Sequence, residues 1–271
     1  MKIQSYDRVQ YNHNPLAEVI CQVRFPYAPL LSDAIPESIL SSLAALGYTE
    51  RSEEQVFSIS IAIPPQAQAE TPLNRHPTSK IFHLASAGEA FKVSICADFV
   101  ALSCNKYLNW EDFRPRFIAA YRVVRDAINP AFPVRIGLRY KDVIERESLG
   151  LDGVAWSELI KPFLLGPLGA CALSDDKSNS EDSVAAFVTQ ATLRLDECDL
   201  VLQSALLRSA EGDRTAFLID SDFFADNNDP ECYKEDEQLL ALLGHLHNHA
   251  GSLFRRGITE TLHAALGPRP I

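Results

Sequence analysis

The chain contains no G-x-G-x-x-G, no Walker A loop, no G-x-S-x-G elbow, no H-E-x-x-H pair and no C-x-x-C pair. Each absence removes a chemistry that depends on those residues: glycine-turn dinucleotide binding, P-loop phosphate binding, the serine of a strand-to-helix elbow, zinc proteolysis, and small zinc or redox modules. No apolar run approaches the roughly 18–20 residues that span a bilayer. The opening MKIQSYDRVQYNHNPL lacks the continuous apolar core of a signal peptide. The expectation is a cytoplasmic protein with no membrane partner. Positive charge is also scarce, with 25 Lys and Arg against 36 Asp and Glu and a net charge of −11. Non-specific nucleic-acid binding depends on phosphate neutralisation by cations, so this balance argues against a nucleic-acid partner.

What is present is enough for a folded unit: 271 residues, 46% of them apolar, and no long low-complexity tract. Six cysteines (21, 96, 104, 171, 198 and 232) are scattered singly, and Cys21, Cys96 and Cys104 fall inside apolar strands, as small hydrophobes in a reducing compartment would.

The hydrophobic periodicity gives an order of elements. EVICQVRF (18–25) alternates as a half-buried strand. SDAIPESILSSLAALGY places Pro36 at a helix start and Gly47 at its end. QVFSISIAI, KIFHLAS and AFKVSICADFVALSCN predict three or four strands, with residues 64–77 as a long hairpin loop. NWEDFRPRFIAAYRVVRDAI is a helix capped by Asn109, with Phe113, Phe117, Tyr121, Val124 and Ile128 as its buried stripe.

A second run follows. VRIGLRYKDVI is a strand and WSELIKPFLLGPLG a short helix. SVAAFVTQATLRL, CDLVLQSALLRS and TAFLIDSDFF are three strands. The run from residue 229 to 266 is one long helix or two, interrupted near Gly251 or Gly257, and SDDKSNSED (174–182) is a surface loop. Strand, helix, antiparallel meander and long helix thus occur twice. The predicted fold is α+β, with two similar halves at 1–132 and 133–271 packed as one compact unit, in a helix-grip or saddle-like manner.

The strand PVRIGLRYKDVIE (133–145) raises the sharpest question. One of its faces carries Arg135, Arg139 and Lys141 with only Gly137 between them, opposite Val134, Ile136, Leu138 and Tyr140. One reading is an anion-binding wall for a phosphate, a nucleotide or RNA. Gly137 would allow close backbone approach, and Arg24 on the first strand of the other half would add to it. The other reading is structural. FLIDSDFF (217–224) puts Asp220 and Asp222 on one face, and in a shared sheet Arg135 and Arg139 pair with them. D-x-D also aims two hard oxygens one way, as a Mg²⁺ site does, with Glu145 or Asp226 as third ligand. The spacing supplies no such third ligand, and no metal or other cofactor is expected. The binding candidates are therefore Arg24, Arg135, Arg139, Lys141, Asp220 and Asp222, and no catalytic residue is assigned. HLHNH (245–249) reads as surface or helix-packing histidines, with His245 and His249 facing one way and His247 another.

Five motifs occur in order: NPLAEVICQVRFP (14–26), W-x-x-F-x-x-R-F (110–117), IGLRYKDVIE (136–145), FLIDSDFF (217–224) and LH…F-x-x-x-ITE (246–260). Together they resemble a sporadically distributed bacterial protein family, and the resemblance covers nearly the whole chain. Members often carry Asn after the Arg-Tyr pair, as in LRYIN, where this chain has Lys141-Asp142. The resemblance implies a patchily distributed prokaryotic protein of the kind found on mobile or defence-associated islands, and it implies no particular reaction.

Charge is uneven along the chain. Residues 105–147 hold nine Lys/Arg against six Asp/Glu, a local +3, whereas residues 170–240 hold five against seventeen, a local −12. Such a surface keeps the protein soluble and suits a basic protein partner. The expectation is a non-catalytic accessory protein that binds a partner through its acidic surface, defence- or toxin-linked. The alternative is a nucleotide- or phosphate-ligand-binding enzyme that uses the Arg-lined sheet cleft and the Asp pair. Homo-oligomerisation is left open.

Overall fold

A computed structural model of the chain describes residues 1–60, 74–129, 132–168, 184–208, 214–229, 232–233 and 235–270. The predicted loop 174–182, Cys171 and most of the predicted hairpin loop lie outside these residues. In chain order, β1 (Val9–Tyr11) is followed by β2 (Leu16–Arg24), α1 (Glu37–Ala45), β3 (Tyr48–Ser60), β4 (Asn74–Ser86), β5 (Phe91–Cys96), β6 (Phe99–Cys104) and α2 (Trp110–Ile128). Then come β7 (Arg135–Glu145), α3 (Trp156–Leu159), α4 (Pro162–Leu165), β8 (Phe187–Arg194), β9 (Asp199–Arg208), β10 (Thr215–Asp226), α5 (Asp236–Gly257), α6 (Glu260–Ala265) and β11 (Pro268–Pro270).

Nine strands form one antiparallel sheet in the order β3-β4-β5-β6-β2-β7-β10-β9-β8, while β1 and β11 pair separately. The fold is α+β. Outward from the central β2–β7 pair, the order is β6, β5, β4, β3 on one side and β10, β9, β8 on the other. Alternation decides which face each strand buries. Val19, Cys21 and Val23 of β2 and Ile136 and Leu138 of β7 point to a face covered by helices. The covering helices bury stripes at spacings of three and four: Phe113, Phe117 and Val124 on α2, and Leu239, Leu242, Leu246 and Leu253 on α5. Cys21, Cys96, Cys104 and Cys198 are free and buried. Among the described residues no helix is long and apolar enough to cross a membrane.

Local chemistry sets the element ends. Asn109 accepts a hydrogen bond from the Asp112 amide at 2.8 Å and so caps α2. Gly47 ends α1 with φ +93°, a conformation that L side chains rarely adopt. Two boundaries differ from the sequence expectation, while the C-terminal helical run divides at Gly257, one of the two positions expected. Strand β4 already begins at Asn74, inside the predicted loop, and its pairing with β3 shifts register between Val56 and Phe57, where Phe57 is partnered with Pro77. WSELIKPFLL forms two single turns, α3 and α4, because Ile160 between them is extended and bridges Ile258. Helix α5 runs through Gly251 without a break and stops at Gly257.

The two long helices pack antiparallel. Asp236, in the first turn of α5, accepts hydrogen bonds from Arg122 Nε at 2.7 Å and Arg125 Nη1 at 2.5 Å near the end of α2. Trp110, in the first turn of α2, stacks on His247 in the middle of α5, with ring centroids 4.5 Å apart. The last turns of α5 therefore overhang the sheet where α2 has not yet begun.

Candidate functional site

On the uncovered face of the sheet the cations of β7 each meet a carboxylate. Arg139 donates to Asp220 through Nε at 2.7 Å and Nη2 at 2.5 Å, a two-pronged contact. Arg135 donates to Asp222 at 3.2 Å and lies 3.6 Å from the centroid of the Phe224 ring. Lys141 donates to Glu18 at 2.6 Å. Arg24 stands opposite Arg135 in register but is bound to Asp98. Gly137 serves this arrangement: a Cβ there would sit 3.6 Å from Asp222 Oδ1 and 3.7 Å from Phe224 Cβ, so its absence leaves room for Arg135 to reach past it. The pairing is diagonal, since the direct cross-strand partner of Arg139 is Asp222 and that of Asp220 is Lys141. The Asp220 bond is the first cause holding the Arg139 guanidinium above its usual range. Burial pushes the Asp222 carboxyl up, against the pull of Arg135 and Arg139. The six predicted binding residues thus share one face, where four of them join into two Arg–Asp pairs.

Further along that face Ser94, His83 and Glu54 form a row, with His83 2.9 Å from the Ser94 hydroxyl and 3.1 Å from the Glu54 carboxylate. Ser94 is paired on both sides, with His83 on β4 and Ala101 on β6. Its neighbouring amides are committed to the ladder, which leaves no donors to stabilise an oxyanion.

The helix-covered side holds a different feature. Under the overhang of α5 lies a cavity of about 500 Å³. Its floor is Tyr140 and Asp142 of β7, and its walls include Tyr107, Trp110, His247 and Phe254. Residues 5–11 pass across it. They are tied down by β1 pairing with β11, by the Tyr6 amide donating to Ser252 Oγ at 3.4 Å, and by Arg8 reaching His247 Nε2 at 2.9 Å. Strand β2 carries a register irregularity between Leu16 and Glu18, beside Asp142 at the cavity floor. Gly251 and Leu108, the latter 64% exposed, stand at the mouth. A Cβ on Gly251 would meet nothing within 4 Å. This glycine therefore leaves α5 without a side chain where one would enter the opening.

Asp142 is the unusual member. It is 5% exposed, and among the described residues no donor reaches its carboxyl. Burial, followed by the negative charge of Asp220, pushes its pKa up to about 8. The neighbouring groups cannot relieve it. Arg guanidinium groups are donors only, so His247 Nε2 accepts from Arg8, and Nδ1 carries the proton and donates to the Tyr140 hydroxyl at 2.7 Å. Burial and the nearby Arg8 and Arg114 hold this imidazole neutral, with its pKa lowered to about 3. Tyr140, fully enclosed, is pushed well above its usual range by burial. The Tyr107 hydroxyl is buried beside that of Tyr140; burial raises its pKa, and hydrogen bonding with Tyr140 opposes the rise. The cavity thus encloses a buried carboxyl that no donor reaches among the described residues, whereas such groups are ordinarily paired.

The sequence reading missed the cavity because its residues come from four distant segments. In sequence His247 is one of three histidines that suit a surface or helix-packing role, and Asp142 stands out only as a departure from the resembled family. The sole sequence signal was a carboxylate at an inward position, on the same side as Ile136, Leu138 and Tyr140. Among the described residues, no group of three or more His, Cys, Asp or Glu is arranged to hold a metal ion. Comparison with protein-family profiles, curated proteins and solved structures finds no match to this chain.

Proposed function

We propose that this chain is a non-catalytic accessory protein that binds a small organic molecule in the cavity beneath α5. The observation that carries the reading is Asp142, a buried carboxyl that no donor reaches among the described residues and that borders an aromatic-lined space of about 500 Å³. Pockets of this size, mostly apolar with a few convergent polar groups, are the usual form of ligand sites. An unpaired buried acid costs stability, and such residues persist where they serve a site. The strand order around β2 and β7 supports two similar halves that meet at this floor.

The rival reading, a phosphate-binding enzyme built on Arg24, Arg135, Arg139 and Lys141, draws no support from a face where each cation already has a carboxylate. A net charge of −11 supports a basic protein partner for the outer surface, and the family resemblance fits an accessory role in a prokaryotic, defence- or toxin-linked setting.

A thermal-shift screen of small organic compounds tests the reading, with wild type beside Gly251→Leu. Compounds that raise the melting temperature of wild type but not of the variant, which keeps its own fold, support it. Shifts equal in both proteins, or no shift with any compound, overturn it.

A further inference from the structure

We propose that the molecule held in this cavity is an organic ammonium ion, with the Asp142 carboxylate as its counter-ion and the surrounding aromatic rings as its walls. The inference rests on the reading of the cavity as the binding site and adds the ligand's charge. It follows from which charges around the cavity are already paired. Arg255 is bound to Glu260 and lies over the Tyr6 ring, 5.5 Å from its centroid. Arg8 is engaged by His247 at 2.9 Å and by Glu111 at 3.7 Å. The positive end of α2, which also borders the space, has Glu111 and Asp112 in its first turn to offset it. The cations of the wall therefore have partners within the protein, and Asp142 does not. A ligand that completes the site supplies the missing positive charge.

The wall agrees with that charge. Tyr6, Tyr11, Tyr107, Trp110, Tyr140 and Phe254 all line the cavity. Ring faces attract cations, and the attraction grows when water is excluded. An aromatic enclosure with one carboxylate at its base is the arrangement that recognises amines, because the rings receive the charged head and its alkyl substituents together. An anionic ligand would instead bring its charge next to Asp142. A neutral ligand would donate a hydrogen bond to the carboxyl at most and would leave its negative charge unbalanced once it is ionised. The Tyr107 hydroxyl, which also lines the cavity, adds an acceptor for an ammonium N–H.

The test is isothermal titration of the full chain at pH 8.5 with three probes of similar shape: 3-phenylpropylammonium, neutral 3-phenylpropanol and anionic 3-phenylpropionate. Wild type, Asp142→Asn and Gly251→Leu are compared. The expected result is that the ammonium binds wild type about 10–100-fold more tightly than either isostere. Asp142→Asn brings it down to the level of the alcohol, and Gly251→Leu abolishes binding of all three. If the alcohol or the carboxylate binds as well as the ammonium, and Asp142→Asn leaves the order unchanged, the ammonium inference is overturned while the cavity remains a binding site. If none of the three binds wild type, the inference is also overturned, and the wider thermal-shift screen then decides the cavity on its own.

Discussion

At the scale of single residues, the two acids that flank Lys141 in space illustrate opposite solutions to burial. Asp220, with its side chain 7% exposed, is gripped by Arg139 through two hydrogen bonds from a partly exposed guanidinium. Removing that partner leaves a buried carboxylate alone. Arg139→Ala is therefore expected to lower stability by on the order of 2–4 kcal/mol in urea unfolding, and the Asp220→Ala partner substitution should recover part of the loss in a double-mutant cycle.

Asp142 has no such partner, and its effect on stability has the opposite sign. Because its pKa rises from 3.8 to about 8 on folding, its stabilising contribution is full below pH 4 and is lost as pH rises through 8. His247 works the other way: its native pKa of about 3 against an ordinary 6.5 removes stability as pH falls below 6.5. Between roughly pH 4 and 6.5 the two proton counts cancel. The expected profile for these groups is a plateau there, with stability falling on either side by up to about 1.4 kcal/mol per pH unit. Urea midpoints measured from pH 3 to 9 check it. A single rise or fall across the plateau would show that one of the two groups titrates normally.

At the scale of elements, most of the architecture was legible because each strand and helix carries its own periodicity. Alternation identified β2, β7 and β10, the spacing of Phe113, Phe117 and Val124 identified α2, and Asn109 marked its start. The Arg135 and Arg139 pairing with Asp220 and Asp222 was legible for the same reason, since period two fixes which side chains share a face. Glycine was less readable. Gly251 resembles a helix break in sequence, but α5 passes through it, and its lack of a side chain matters for the space beside the helix.

Two substitutions separate these roles. Asn109→Ala is expected to cost about 1 kcal/mol by losing the cap on the turn that carries Trp110. Gly251→Ala, where nothing lies within 4 Å of a new Cβ, is expected to stabilise the helix by up to about 1 kcal/mol. Thermal melts of both variants check the signs. A destabilised Gly251→Ala would mean that the backbone there needs glycine for its conformation.

At the scale of the whole molecule, the cavity arises from a mismatch of helix placement. Helix α5 continues over β7 beyond the start of α2, and residues 5–11, secured by β1 against β11, close the gap only in part. No local pattern announces such a space, because it depends on where segments more than 200 residues apart come to rest. Its chemical consequence is concentrated in one side chain, a carboxyl that the fold encloses and does not satisfy.

The most direct measurement is therefore the unfolding free energy of wild type and Asp142→Asn at pH 8 and at pH 4, without added ligand. The account predicts that the variant is more stable than wild type by a few kcal/mol at pH 8, and that the gap nearly closes at pH 4, where the carboxyl is protonated in the folded chain and close to its ordinary pKa of 3.8 in the unfolded one. A variant that is less stable than wild type at pH 8 would contradict it. That result would mean the Asp142 carboxylate already has its partner within the protein, and that the cavity floor is not waiting for a ligand.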